Sequence, residues 1–297
     1  MIDQDSPFHP DNEAGYQVWR AQKLAAYPQQ AEELIVQVED PARLSDGEYQ
    51  AIWRRVAKTG MAVYATNRGE VEDKSIPRDI AAQFGLTHLD ANWLADEDGI
   101  SSLTPQDEGG QKRGEFIPYT HHRIRWHTDG YYNPPARRIC GMILHCVQSA
   151  EAGGENRLLD HEIAYILLRD QNPEFIRALS APDVMTIPAR MSDTGVARAA
   201  ETGPVFSVLP DGGALHMRYT ARTKSIEWKD TPQTRAAVAA LEAILAGDSS
   251  YVFQGRLEPG MGLICNNVLH DRTGFNDSPE HKRIIYRGRY LDRITGS

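Results

Sequence analysis

The sequence predicts a mainly β fold, a distorted jelly-roll barrel with helices packed outside it. Three observations lead there. Short apolar, strand-like runs recur from Met61 to Leu291. Helical stretches interrupt them without the regular βαβ alternation of a doubly wound parallel sheet. The chain then finishes on three strand-like runs, 251–254, 261–269 and 283–291, and a distorted jelly roll accommodates such a series. At 297 residues it can bury a substantial core. No repeat, low-complexity tract or linker divides it, so one domain over 1–297 is expected, with an N-terminal helical segment over about residues 1–60.

Each element has a local cause. Asn12 opens a helix that closes before Pro28. Ser45-Asp46-Gly47-Glu48 has capping-box spacing, Tyr49, Ile52, Trp53 and Val56 recur at helical intervals, and Gly60 stops them. Met61–Tyr64 reads as a short strand, and Pro77–Phe84 as a short helix ended by Gly85. Residues 96–116 are rich in Gly, Ser, Asp and Gln without periodicity, and a stretch of this kind beside candidate chemistry reads as a lid loop. Ile139–Val147 is an apolar strand, and Gly153-Gly154 turns the chain into Asn156–Leu159. Helices follow near 161–169 and 173–180, the second opened by Asn172-Pro173. Short strands are expected near 184–188, 204–209 and 214–219, then a helix from Thr231 to Ala246 with Pro232 at its start and Gly247 after its end.

Composition excludes several classes. With 41 acidic and 32 basic residues the net charge is −9, which disfavours a general nucleic-acid or anionic-membrane binder. There is no bilayer-spanning apolar run, and the acidic Met1–Asp5 lacks the basic and apolar regions of a signal peptide. Cys140, Cys146 and Cys265 lack zinc-site spacing and read as buried thiols in a reducing cytoplasm. Cys140 and Cys146 are expected on one strand.

The chemistry centres on Arg123–Tyr132. If this run is extended, His127 and Asp129 project from one face and can share a metal ion. A second His would complete the two-His-one-carboxylate set that leaves coordination positions open for non-haem Fe(II) chemistry. His9-Pro10-Asp11 and His88-Leu89-Asp90 share the spacing. The first reads as a turn and the second follows a helix stop, so only His127-Thr128-Asp129 sits in a strand-like run. His270, in Leu269-His270-Asp271-Arg272-Thr273, is the candidate second imidazole; an arbitrary His at a strand end is more often a satisfied core residue. In the last strand Arg283, Arg287 and Arg289 share one face at period two. Either that face is solvated or it points inward, where unpaired guanidiniums would require anionic partners.

His127-Thr128-Asp129, Gly153-Gly154-Glu155, Leu269–Thr273 and Arg283–Arg287 occur in the order and approximate spacing of the taurine dioxygenase-like family of Fe(II)/2-oxoglutarate-dependent oxygenases, which the chain resembles over about residues 45–292. The form around His270 also resembles the γ-butyrobetaine hydroxylase branch. The resemblance implies a double-stranded β-helix in which His127, Asp129 and His270 bind Fe(II). It implies that Arg283, thirteen residues after His270, holds the distal carboxylate of 2-oxoglutarate, with Asn156 at the position of a co-substrate-binding threonine. Arg287 falls where taurine dioxygenase grips its substrate's sulfonate. The sequence departs from the family at Asn266-Asn267, which replaces an Asp-Asn pair and stands nearer the His.

The resemblance further implies that O2 is consumed as 2-oxoglutarate is decarboxylated to succinate and a C–H bond of a small polar, anionic or zwitterionic substrate is hydroxylated. Tyr131 and Tyr132 are candidates for a wall of the substrate pocket, and Arg125 for a further contact. A homo-oligomer is compatible with the sequence. The alternatives are a non-catalytic metal-binding jelly-roll sensor or scaffold and a cupin-like Zn2+ or Mn2+ enzyme. The second has no need of a dicarboxylate clamp.

Overall fold

A computed structural model describes residues 2–90, 96, 98–105, 116–192, 195–210, 213–222 and 226–296. Two sheets face each other across the main core. Their strands in chain order are β1 (Ile35–Val38), β2 (Met61–Thr66), β3 (Ser101–Leu103), β4 (Ile124–His127), β5 (Gly141–Gln148), β6 (Asn156–Leu159), β7 (Phe253–Gly255), β8 (Met261–Cys265), β9 (Leu269–Arg272) and β10 (Ile284–Tyr290). The major sheet runs β1-β2-β8-β5-β10-β3 and the minor sheet β7-β6-β9-β4. Within both, every pairing except the parallel β1–β2 is antiparallel. This is the expected jelly roll.

Alternation along the strands sets the layers. Met142, Leu144 and Cys146 of β5 join Leu263 and Cys265 of β8 and Ile285 of β10 in the core between the sheets. Ile143, Ile264, Tyr64 and Tyr290 point the other way, where Ile52 and Val56 of the helix Asp46–Thr59 and Ile80 of the helix Ser75–Gln83 cover them. Because Ile285 faces inward, Arg287 and Arg289 do too, which decides the orientation that the sequence left open. Behind β4 lies the helix Pro232–Ala246, whose Leu245 carbonyl accepts from Trp126 Nε1 at 2.9 Å.

The helix signals are realised atom by atom. Asn12 caps Glu13–Leu24, the Ser45–Glu48 box closes in both directions, and Gly60 adopts φ +74. His161–Gln171 and Pro173–Leu179 are helical as expected.

Three expectations need correction. The run 261–269 is two strands in two sheets, because Asn267 takes a left-handed φ of 51 and turns the chain between them. Part of the expected lid is ordered as β3, an edge strand on β10, with Asp96 accepting from the Ser102 amide and from Lys74; residues 106–115 fall outside the described residues. Cys140 precedes β5 rather than lying on it, although all three cysteines are buried and unbridged. The strand β1 was not anticipated; it gains its place by pairing with β2. Among the described residues, no helix is long and apolar enough to cross a membrane.

Candidate metal and co-substrate site

Two neighbouring minor-sheet strands bring the distant histidines together. β9 pairs β4 with His270 directly opposite His127, and a bulge two residues on shifts Arg272 to face Ile124. The two imidazole centroids are 4.2 Å apart. Each Nδ1 is taken by a carbonyl two residues earlier, Arg125 at 3.0 Å for His127 and Val268 at 2.9 Å for His270. This leaves both Nε2 atoms for the space between the rings, the tautomeric arrangement of a metal-ligating His. Asp271, next to His270, points the opposite way and pairs with Arg157.

Asp129 reaches the same space by a different route from the one expected. β4 ends at His127, so Asp129 belongs to the following turn rather than to the strand face. Two features aim it. Gly130 has φ +66, and a Cβ there would lie 2.4 Å from Ile139 Cγ1, so only glycine fits. Asn267 then grips the Asp129 backbone, accepting from its N–H at 2.8 Å and donating to its carbonyl at 3.0 Å and to that of Ile139 at 2.8 Å.

The donor set fits a metal ion. One atom from each of His127, Asp129 and His270 lies within 4.8 Å of the others. Asp129 Oδ2 is buried without a hydrogen-bond partner, while Oδ1 accepts from Arg287 at 3.3 Å. Burial, and next the neighbouring His270, push His127 down to about 3, so it stays neutral. For Asp129 burial opposes ionisation, but the guanidiniums of Arg287 and Arg289 more than offset it and hold the carboxyl below the usual range. Two imidazoles with one anionic carboxylate suit a divalent cation.

The competing His-x-Asp pairs are used otherwise. His88 pairs with Asp292 at 2.7 Å, and Asp90 is buried between Arg289 and Arg137. Asp11 pairs with Arg177.

A second set of cations lies beside this centre. Arg283 is 7% exposed, its guanidinium stacks over Phe275 at 5.1 Å, and among the described residues no carboxylate makes an ion pair with it. Burial pushes it down to about 10. Arg272, on the His270 strand, stacks over the other side of the same neighbourhood at 4.8 Å from the Phe275 centroid. Burial, then Arg283, push it down to about 9. Its Nη2 donates to the Thr120 and His122 carbonyls, leaving Nε buried and unpartnered. Two buried guanidiniums without a carboxylate are costly unless an anion joins them. Arg283, Asn156, Gly153, Gly154 and Ile285 line one small cavity, and Asn156 donates to the Asp271 carbonyl at 2.8 Å. Gly153, at φ +79, approaches the Gly274 carbonyl so closely that any Cβ would clash.

The other expected residues flank His127 and Asp129 along the chain. Tyr131 and Tyr132 meet edge to face at 5.1 Å just past Asp129, and Tyr132 Oη accepts from Arg289 at 2.9 Å. Arg125 is exposed and contributes its carbonyl to His127. Arg272 and Asn267 were not assigned roles from sequence. Period-two spacing from His270 was the available signal for Arg272; the long-range Asn267 contacts had none.

Residues 21–289 match the family described as "Taurine catabolism dioxygenase TauD, TfdA family". The chain belongs to this family. It is therefore a 2-oxoglutarate-dependent dioxygenase, with Fe(II) as metal and 2-oxoglutarate as co-substrate. A uridine-5'-phosphate dioxygenase from a Streptomyces species is 31% identical over 238 residues, covering 77% of this chain and 84% of that protein. The fold is similar to that of AAD-2, solved with Mn(II) and N-oxalylglycine (TM-score 0.60, 13% identity, 89% and 97% of the two chains). It is also similar to that of the non-heme iron oxygenase OrfP, solved with Fe and alpha-ketoglutaric acid (TM-score 0.59, 17% identity, 84% and 81%). These matches establish the family without singling out its γ-butyrobetaine branch.

Asn267→Ala should cost about 2–4 kcal/mol, because it leaves buried Asp129 and Ile139 backbone groups unsatisfied at a left-handed position. Urea unfolding measures the loss, and anaerobic Fe(II) titration should show weaker binding alongside it. A loss below about 1 kcal/mol would mean that these contacts do not hold the turn.

Proposed function

We propose that this dioxygenase hydroxylates a C–H bond of a small anionic substrate, with His127, Asp129 and His270 holding Fe(II). The observation that carries the reading is the clustered triad, with a buried, unpartnered Asp129 oxygen, beside two buried arginines that make no ion pair with a carboxylate among the described residues. Arg283 and Asn156 bind the distal end of 2-oxoglutarate, and Arg272 adds positive potential there. Bound iron and 2-oxoglutarate supply an O2-dependent oxidant strong enough to attack an unactivated C–H bond. The chain positions and shields: the Nε2 atoms of both imidazoles are turned to the ion, and Arg287 holds Asp129 Oδ1 so that Oδ2 is free to ligate. Arg287 Nε, buried and unpartnered, is a donor available to an anionic substrate group. The Tyr131–Tyr132 corner walls the reacting group from water.

The relative named for uridine-5'-phosphate makes a nucleoside 5'-phosphate the first substrate to try. With Fe(II), 2-oxoglutarate and O2, succinate release should rise when the right anion is added. Screening nucleoside 5'-phosphates, sulfonates, amino acids and betaines checks this. If 2-oxoglutarate is never consumed, the chain is a metal-binding sensor or scaffold.

A further inference from the structure

The two histidines of the triad face each other across a weak point of the minor sheet. Between the pairs His270–His127 and Arg272–Ile124, β9 advances two residues and β4 three, so β4 carries the extra residue of a bulge beside the metal ligand. A bulge leaves one residue unpaired and interrupts the ladder where it sits. Segment 219–221 holds the other edge of β4, with Thr128 N–H on the Tyr219 carbonyl and Ala221 N–H on the Trp126 carbonyl, but those bonds do not reach β9. Backbone pairing therefore fixes His127 against His270 less firmly than an unbroken ladder would. A one-residue slip would turn His127 to the opposite face.

Side chains behind the imidazoles supply what the ladder lacks. Asp271 follows His270, and alternation turns it away from the metal position. Trp126 precedes His127, and its indole N–H is turned away too, onto the Leu245 carbonyl of the helix behind β4. Arg157 of β6 stands opposite Asp271 in the register. Its Nε and Nη2 donate to Asp271 Oδ2 at 3.1 and 2.5 Å, and its backbone N–H donates to Oδ1 at 3.1 Å. The same guanidinium lies 4.8 Å from the Trp126 ring centroid. Because β9 separates β6 from β4, the side chain spans two strand spacings, about 10 Å. Asp271 and Trp126 are both buried, so the ion pair and the cation–π contact are largely shielded from water. One guanidinium thus joins the residue before one histidine to the residue after the other.

We propose that Arg157, acting through Asp271 and Trp126, is a positioning residue that sets the spacing and tilt of the His127–His270 pair for the metal. The inference rests on the Fe(II) reading above and deepens it, since Arg157 lies on the far face from both imidazoles. A salt bridge that only stabilised the sheet would move the unfolding midpoint and leave the metal affinity of the folded protein alone. A positioning clamp changes that affinity and the coordination geometry with it.

The test compares wild type, the double variant Arg157→Met with Asp271→Asn, Arg157→Lys and His270→Ala. Each is titrated anaerobically with Fe(II), loaded with Co(II) for its visible ligand-field spectrum, and unfolded in urea. The double variant removes both charges together, so no buried anion is stranded and the fold should hold. Its Fe(II) affinity should fall about tenfold or more, the usual cost of losing a partner behind a metal-ligating His, and its Co(II) spectrum should shift. Arg157→Lys keeps a cation beside Asp271 but cannot lie flat on the indole while donating two bonds, so it should lose about fivefold. Iron affinity within about threefold of wild type in the folded double variant overturns the proposal, whatever the urea midpoint does. If the double variant does not fold, the same criterion applied to Arg157→Lys decides. If His270→Ala binds Fe(II) as tightly as wild type, the metal-site reading itself fails, and this inference with it.

Discussion

His270→Ala should abolish succinate release and weaken Fe(II) binding by more than about 100-fold, since changes merely behind a ligand already cost 10- to 100-fold. The ring supplies one of three donors, and among the described residues its Nδ1 contact with Val268 is the only side-chain hydrogen bond its loss removes. The fold should therefore survive, with a stability loss of roughly 1–3 kcal/mol for the hydrogen bond and the small void. Anaerobic titration of Fe(II) into the variant measures the first effect and circular dichroism the second. An unchanged iron affinity would remove His270 from the site. His88→Ala is the matching control, because that ring is exposed and pairs with Asp292. Asp90→Ala is a poor control: it strands buried Arg289 and disturbs stability without touching the metal.

Arg283→Ala should raise the 2-oxoglutarate dissociation constant by roughly 30- to 1000-fold, corresponding to about 2–4 kcal/mol for a charge-assisted bidentate contact in a desolvated pocket. The variant should not lose stability in proportion. It removes a buried cation that, among the described residues, has no carboxylate partner, and so relieves its repulsion with Arg272. Arg287→Ala should behave differently. Its guanidinium touches Asp129, so iron and substrate binding should suffer while 2-oxoglutarate affinity stays within a few-fold of wild type. Four residues of strand separate the two side chains by about 13 Å at Cα, too far for one small carboxylate to engage both bidentately. Titrating 2-oxoglutarate into both Fe(II)-loaded variants decides between them. Loss of 2-oxoglutarate binding in Arg287→Ala alone would reverse the assignment.

What the sequence revealed was local chemistry. Asn12, the Ser45–Glu48 box, Asn172-Pro173 and Thr231-Pro232 act within one helical turn, so their residues suffice to place the helices. The jelly roll followed from strand count and irregular alternation. The opposition of His270 and His127 depends instead on long-range register, and the resemblance to a family supplied it. Asp129 does stand beside His127 and His270, as the sequence predicts, but a turn, not a strand face, aims it. The run from Met261 to Leu269 hid its break because Asn266-Asn267 are short polar residues that fit a strand pattern as well as a kink. The direction of the arginine face was undecidable until Ile285 fixed which side of β10 meets the core.

That kink also ties the two sheets to each other. Within a few residues the chain leaves the major sheet at Cys265 and enters the minor sheet at Leu269, while Asn267 fastens both to the Asp129 turn and Asn266 accepts from the Ile294 amide. The barrel is sewn together at its metal end, and the two sheets cannot gape there. Asn267 thus belongs to both sheets and to the Asp129 turn at once, so a change at this one residue is felt on both sides of the core rather than in a single strand.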